Sequence, residues 1–191
     1  MYKLCKSEQS AARQRQLELG LLELMSQKRY EDITVSELCS FLQVPRKSFY
    51  RYFSGKDGAL HALIDHTMLD YEGFNAVYTH GERRTPEREL QQFFEFWVRH
   101  KSLLDALAKS GMSGTLVERA MGYSAASGDN RFLQDENQFM RQQVMLFCIS
   151  GLMSMVLTWH HDGYPQSAEQ MSLIAARLVT QPLFPNLQSF F

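Results

Sequence analysis

Residues 34–56, reading TVSELCSFLQVPRKSFYRYFSGK, constrain this chain more than any other stretch. Thr34 followed by Glu37 is a capping box: the Thr hydroxyl takes an orphan backbone N–H and the Glu reaches back. Val35, Leu38, Cys39 and Leu42 then recur with helical spacing, which makes one face apolar. Val44 precedes a proline and is pushed toward extended geometry, whereas Pro45 suits the first turn of a second helix. Two short helices joined by a tight turn are therefore predicted. Phe49 and Phe53, four apart, share one side of the second helix and anchor it to a core. Arg46, Lys47 and Arg51 cannot all lie on that anchored side, so part of the basic set faces outward. With Ser48 and Tyr50 they form a set of donors suited to DNA.

The remaining segments carry helical rather than alternating periodicity, so the chain is read as all-α. A first helix is expected from about Ser7 to Lys28, with Leu17, Leu21, Leu24 and Met25 facing the core. Lys56 opens a long connecting helix bearing Leu60, Leu63, Ile64, Thr67, Met68 and Tyr71. A polar loop follows at 79–84. Thr85-Pro86-Glu87 is a helix start, with N-cap, proline and acid in order, and Leu90, Phe93, Phe94, Trp97 and Val98 follow as its apolar face. Breaks are expected at Ser110-Gly111 and Ser127–Asn130. A long helix should run from about Gln134 to His161, and a last one from Ser167, capped by Gln170, until Pro182 stops it. In that last helix Met171, Ile174, Ala175 and Leu178 share one face.

The formal net charge of −1 hides an asymmetry. Up to Leu60 ten basic residues outnumber seven acids, so the head is +3 and the rest −4. A positive head on a negative body suits one phosphate-facing end. Cys5, Cys39 and Cys148 are an odd set without paired spacing, and no signal peptide is visible, so reduced thiols in a cytoplasm are expected. The 20 residues 142–161 lack Asp, Glu, Lys and Arg, a length that spans a bilayer. Gln142, Gln143, Ser150, Ser154, His160 and His161 make them too polar, and a buried bundle helix is the preferred reading. No membrane association is expected. His61 and His66 are five apart and His160-His161 are adjacent, neither a ligand spacing, and no Cys/His pair fits zinc. No nucleophile elbow, phosphate loop or dinucleotide fingerprint occurs. Neither an enzyme nor a metal or cofactor site is expected.

The run VPRKSFYRYFSGKDGAL, with TVSEL upstream, resembles the DNA-binding helix-turn-helix of the TetR/AcrR family of bacterial repressors. Phe49 to Lys56 carries the specific part of the likeness. One departure stands out: Gln43 occupies the turn where the family usually has Gly, so a left-handed residue is expected there at some cost. The resemblance implies a three-helix DNA-binding head over residues 1–55 and a ligand-binding and dimerisation body over 56–191. Arg46 and Lys47, in the first turn of the second helix, are placed to reach base edges. Thr34, Ser48, Tyr50 and Lys56 match family positions that hold the phosphate backbone, and Ser36 one that approaches bases. Pro45 and Arg51 complete the candidate set; Tyr52 is open between packing and a phosphate contact.

The same resemblance implies a homodimer on a near-palindromic double-stranded operator and a small apolar or aromatic ligand that releases it. Two late helices from each subunit form a four-helix interface in that family. Phe147, Gly151, Ser154, Thr158, Met171, Ala175 and Leu178 hold the matching places here, with intrachain core as their other reading. Phe93, Trp97, His100, Met121, Tyr123 and Phe139 are candidate ligand contacts on an aromatic- and Met-rich wall. The alternative is a constitutive DNA-binding protein whose body contacts another protein and senses nothing.

Overall fold

The computed structural model describes residues 1–3, 5, 7–78, 85–127 and 137–180. Among them are nine α-helices, one 3-10 turn and a single isolated β-bridge, Tyr2 to Phe53. The helices are α1 Glu8–Gln27, α2 Val35–Phe41, α3 Arg46–Tyr52, α4 Lys56–Tyr78, α5 Pro86–Arg99, α6 Lys101–Lys109, α7 Ser113–Ser127, α8 Gln138–His161 and α9 Ala168–Thr180. The 3-10 turn, Tyr30–Asp32, sits between α1 and α2. The predicted loop at 79–84, the break at 128–130, the start of the long helix at 134–136 and the Pro182 stop lie outside the described residues.

Caps set the helix ends. Ser7 accepts from the Ser10 N–H, Thr85 from Arg88 with Pro86 behind it, and Asn137 from Met140. Ahead of α9 the predicted box closes in both directions: Ser167 Oγ accepts from Gln170 N–H at 3.1 Å, and Gln170 Oε1 from Ser167 N–H at 2.9 Å. Each such cap satisfies donors that water would otherwise have to reach.

The head core is built from Leu17, Leu21, Leu24 and Met25 of α1, Leu38 and Cys39 of α2, Phe49 and Phe53, and Leu60, Leu63 and Ile64 of α4, all buried. Gly20 belongs to this packing. A Cβ there would meet Leu42 Cδ1 at 2.5 Å, so glycine lets the Leu42 side chain sit against α1 without shifting. α4 packs on both α1 and α7. Head and body also meet at the 3-10 turn, where the Tyr30 N–H donates to the buried Ser110 Oγ at 2.9 Å.

The body differs from expectation in two places. On α5 Val98 is exposed, whereas Gln92 and Phe96 turn inward beside Phe93, Phe94 and Trp97. Along α8 only Met153, Val156 and Trp159 are buried, so the expected buried bundle helix is corrected. One edge of α8 packs chiefly on α7, and much of the rest is exposed or half-buried among the described residues. By length and composition alone α8 is long and apolar enough to cross a membrane.

Candidate nucleic-acid interface

The two predicted helices form as α2 and α3, and the turn between them has the expected conformation: Gln43 is left-handed at φ 54. Its N–H donates to Ser40 O at 3.1 Å, and the Val44 N–H to Cys39 O at 2.9 Å. Thr34 Oγ1 accepts from the Glu37 N–H at 3.1 Å. Glu37 also reaches Lys28. That hydrogen bond, helped by the Thr34 backbone, holds its carboxyl below the usual range against some desolvation. Pro45 falls one residue earlier than expected, as the N-cap of α3.

α3 has two faces. Phe49 and Phe53 are fully buried with ring centroids 5.1 Å apart, and they bolt the helix to the core. On the other side Arg46, Lys47, Tyr50 and Arg51 are exposed, with Thr34, Ser36 and Pro45 also exposed and Ser48 half-buried. Arg46 leans on Tyr50, its Nη2 donating to the hydroxyl at 3.4 Å and its guanidinium 5.9 Å from the ring centroid. That contact shapes the cation before any DNA arrives. An exposed Arg on such a face has the donors for a bidentate guanine pair, a contact that discriminates by about 1–3 kcal/mol.

One open reading closes and one member of the candidate set is corrected. Tyr52 is 6% exposed and belongs to the core. Its place on α3 turns it toward Phe53, 6.3 Å away between ring centroids. Lys56 is not a free phosphate donor. Its ammonium donates to the carbonyls of Tyr30 at 2.5 Å, Ile33 at 2.6 Å and Glu31 at 3.3 Å, and it lies 4.2 Å from the Tyr30 ring centroid. An ammonium has three donors, and all three are used. Burial lowers its pKa, opposed by Asp57, Asp32 and Glu31. Lys56 staples the entry of α2 to the start of α4.

The candidate ligand contacts converge only in part: Trp97 meets Phe93 and His100 with ring centroids 6.4 and 6.5 Å apart, inside a packed aromatic cluster. Phe93 and Trp97 are packed among aromatic rings, Phe93 against Tyr71 and Phe94, Trp97 against Phe96. His100 stacks on Phe96 at 4.0 Å, and its Nδ1 lies 2.9 Å from Phe96 O. Met121 Sδ accepts from Ser150 Oγ, Tyr123 is tied to Glu72, and Phe139 stands 70% exposed. Phe93 and Trp97 are taken up by core packing while Phe139 is exposed, so the six do not line one open wall. An open cleft of about 350 Å³ lies instead between α8 and α9, lined by Ser154, Met155, Thr158, Trp159, Asp162, Gln166 and Met171.

The candidate dimer residues divide. Phe147, Gly151, Ser154 and Thr158 are all exposed on one stripe of α8, Phe147 to 68%, and Leu178 is exposed on α9. Met171 and Ala175 are buried in the chain's own core, because α9 lies along the aromatic helix α5. They leave the set.

A helix-turn-helix with a buried phenylalanine anchor and an outward basic face, set on an all-α body, defines the class: a DNA-binding regulator. Residues 20–63 match the family described as bacterial regulatory proteins, tetR family. No curated protein matches the sequence. Solved structures share the fold along almost the whole chain. A TetR-family regulator from Syntrophomonas wolfei superposes with TM-score 0.67 at 14% identity, covering 92% of this chain and 99% of the other. The fatty acid degradation regulator FadR from Bacillus halodurans gives 0.62 at 13%, covering 94% and 98%. The TetR family repressor AlkX from Dietzia sp. strain DQ12-45-1b, implicated in biodegradation of n-alkanes, gives 0.56 at 14%, covering 87% and 94%. The head therefore matches the tetR family, and the chain as a whole has the fold of TetR-family regulators.

Proposed function

We propose that the chain acts as a cytoplasmic homodimeric repressor that binds a near-palindromic operator and is released by a small apolar or aromatic ligand. It works by binding, not catalysis. Residues 1–55 form the head that meets DNA through Arg46, Lys47, Ser48, Tyr50, Arg51, Thr34, Ser36 and Pro45. Residues 56–191 form the body that pairs and senses.

The observation that carries this reading is the exposed surface of α8 and α9 among the described residues. Phe147, Gly151, Ser154 and Thr158 recur at helical spacing along one exposed stripe, and a Cβ on Gly151 would meet nothing within 4 Å. Leu173, Ile174, Leu178 and Val179 extend the apolar surface on α9, each at least 43% exposed. Exposed apolar side chains on these two helices suit an interface. A second copy supplies a self-complementary cover through two-fold pairing, and two-fold pairing presents two α3 helices to successive major grooves. Phe147→Glu tests this by placing charge on the stripe. Expected are a monomer in sedimentation and operator binding weaker by at least about 100-fold, from lost bivalency. An intact dimer would count against the interface.

The cleft supports the sensing role. Met155, Trp159 and Met171 give it apolar walls, Asp162 and Gln166 polar ends, and Ser154 and Thr158 place it on the edge of the dimer stripe. An occupant there changes how the subunits meet, and shifts DNA binding by its differential affinity for the two arrangements. Two structural neighbours are described in connection with fatty acid and n-alkane degradation, so long alkyl chains are the first ligands to test. A second reading, a constitutive DNA-binding protein with a protein-contacting body, is favoured by the close packing of Phe93, Phe94, Phe96 and Trp97. Operator release by an alkyl ligand, abolished in Met155→Trp, separates the two. Release that is never seen supports the second.

A further inference from the structure

Residues Met1–Lys3 run back along the end of α3. Tyr2 bridges to Phe53, the Lys3 N–H donates to Tyr52 O at 3.0 Å, and the Ser54 N–H to Met1 O at 3.1 Å. The arm also lies flat on the first turn of α4. A Cβ on Gly58 would meet the Met1 carbonyl oxygen at 2.5 Å, so only glycine leaves room for it.

The Tyr2 side chain then leaves the head. Its hydroxyl donates to Asp65 Oδ2 on α4 at 2.8 Å. Asp65 is itself buried, and Arg119 of α7 grips it at two points, Nε to Oδ1 at 2.8 Å and Nη2 to Oδ2. Burial first, then the bond to Asp65, push the Tyr2 phenol up to about 12, so the hydroxyl keeps its proton and remains a donor. α7 lies along α8, the helix that bears the exposed stripe. An unbroken line of contacts therefore runs from α8 through α7, Arg119, Asp65 and Tyr2 to the C-terminal end of α3.

We propose that the N-terminal arm is a positioning strut for α3, and that Asp65 is the joint through which α7 sets it. The proposal rests on the DNA-binding role of α3. Phe49 and Phe53 fix the underside of that helix, whereas the arm fixes its far end against rotation over the core. The two-point grip of Arg119 sets the plane of the Asp65 carboxylate. When α7 withdraws the guanidinium, a buried carboxylate is left without its counter-charge and turns toward water. Tyr2 then loses its acceptor, the arm leaves, and α3 loses its preset angle. Tyr2, Asp65 and Arg119 are positioning residues, because they act through α3 and need not touch DNA.

The test uses the full chain and three variants: Tyr2→Phe, Arg119→Gln and Arg119→Lys. Amide hydrogen exchange at Lys3 and Ser54 reports the arm directly. Binding is measured to a duplex that the wild type selects from a random pool and to a scrambled duplex of equal length. In Arg119→Gln, exchange at both amides should rise at least about tenfold. Affinity for the selected duplex should fall about tenfold while the scrambled one changes by less than about twofold, since phosphate contacts are kept. Arg119→Lys, which keeps the charge without the fork, should fall between. Tyr2→Phe should reproduce both effects, and joining it to Arg119→Gln should add little. Unchanged exchange in Arg119→Gln would show that α7 does not hold the arm. Faster exchange with unchanged selectivity would show that the arm does not position α3. A wild type that selects no duplex would overturn the DNA reading itself, while the exchange measurement would still judge the grip.

Discussion

Lys56→Met separates a structural ammonium from a DNA-contacting one. The thioether keeps the length of the side chain and removes only the donors. The carbonyls of Tyr30 and Ile33, both buried residues, each lose a short bond, though Tyr30 O still accepts from the Ile33 N–H at 3.1 Å; Glu31 is exposed. A hydrogen bond involving a charged group nets about 1.5–3 kcal/mol, so the two short ones set an upper value near 3–6 kcal/mol. Lys56 is half-buried, and its lowered pKa records a desolvation cost that the variant recovers. Solvent screening roughly halves that range, leaving a loss of about 1.5–3 kcal/mol. For a chain of this size that lowers the thermal midpoint by roughly 5–10 °C. Urea unfolding followed by circular dichroism gives the stability, and duplex binding over a range of salt concentrations gives the slope. The staple predicts a destabilised head and, below its midpoint, an unchanged salt slope. Unchanged stability with a slope reduced by about 1 would mean that Lys56 contacts phosphate, and would refute the reasoning.

The turn and the ion pairs give further outcomes. Gln43 holds a left-handed conformation at φ 54, so Gln43→Gly should stabilise the chain by about 1 kcal/mol, seen as a higher urea midpoint at constant m-value. A lower midpoint would show that the Gln side chain contributes more than its backbone costs. Asp105 accepts from Lys101 at 2.7 Å and lies 2.7 Å from His160 Nε2, and the Lys101 bond chiefly lowers its pKa. A carboxylate with a depressed folded pKa contributes stability above its unfolded value, lost as pH falls through the folded one. Wild-type stability should therefore decline below about pH 4, and Asp105→Asn should flatten that decline. Equal slopes for the two proteins would remove Asp105 from the account.

Much of the head was legible because its signals are local. Thr34 and Glu37, the Pro45 start and the Phe49–Phe53 pair each act within one helical turn, and Gln43 in the turn announced its own strain. The α8 stripe was legible for a related reason, since Phe147, Gly151, Ser154 and Thr158 share a face whatever surrounds them. What was missed depends on distant partners. Nothing near Lys56 reveals that carbonyls more than twenty residues upstream will take its ammonium. Met171 and Ala175 share a face with helical spacing, but only the docking of α9 on α5 decides that the face points inward. The aromatic residues of α5 look alike in sequence whether they line a cavity or pack on one another, and here they pack. The arm at Met1–Lys3 left no trace, because one bridged pair has no periodicity.

The central claim is that the exposed basic face of α3 reads DNA sequence as one half of a two-fold pair. The most direct measurement is selection from a random duplex pool by the purified protein, repeated with Arg46→Ala. The account predicts an inverted repeat with half-site centres about 34–36 Å apart, and a loss of roughly 1–3 kcal/mol of discrimination at one base pair per half-site in the variant. A pool that shows no enriched repeat, or one that Arg46→Ala enriches identically, would contradict it.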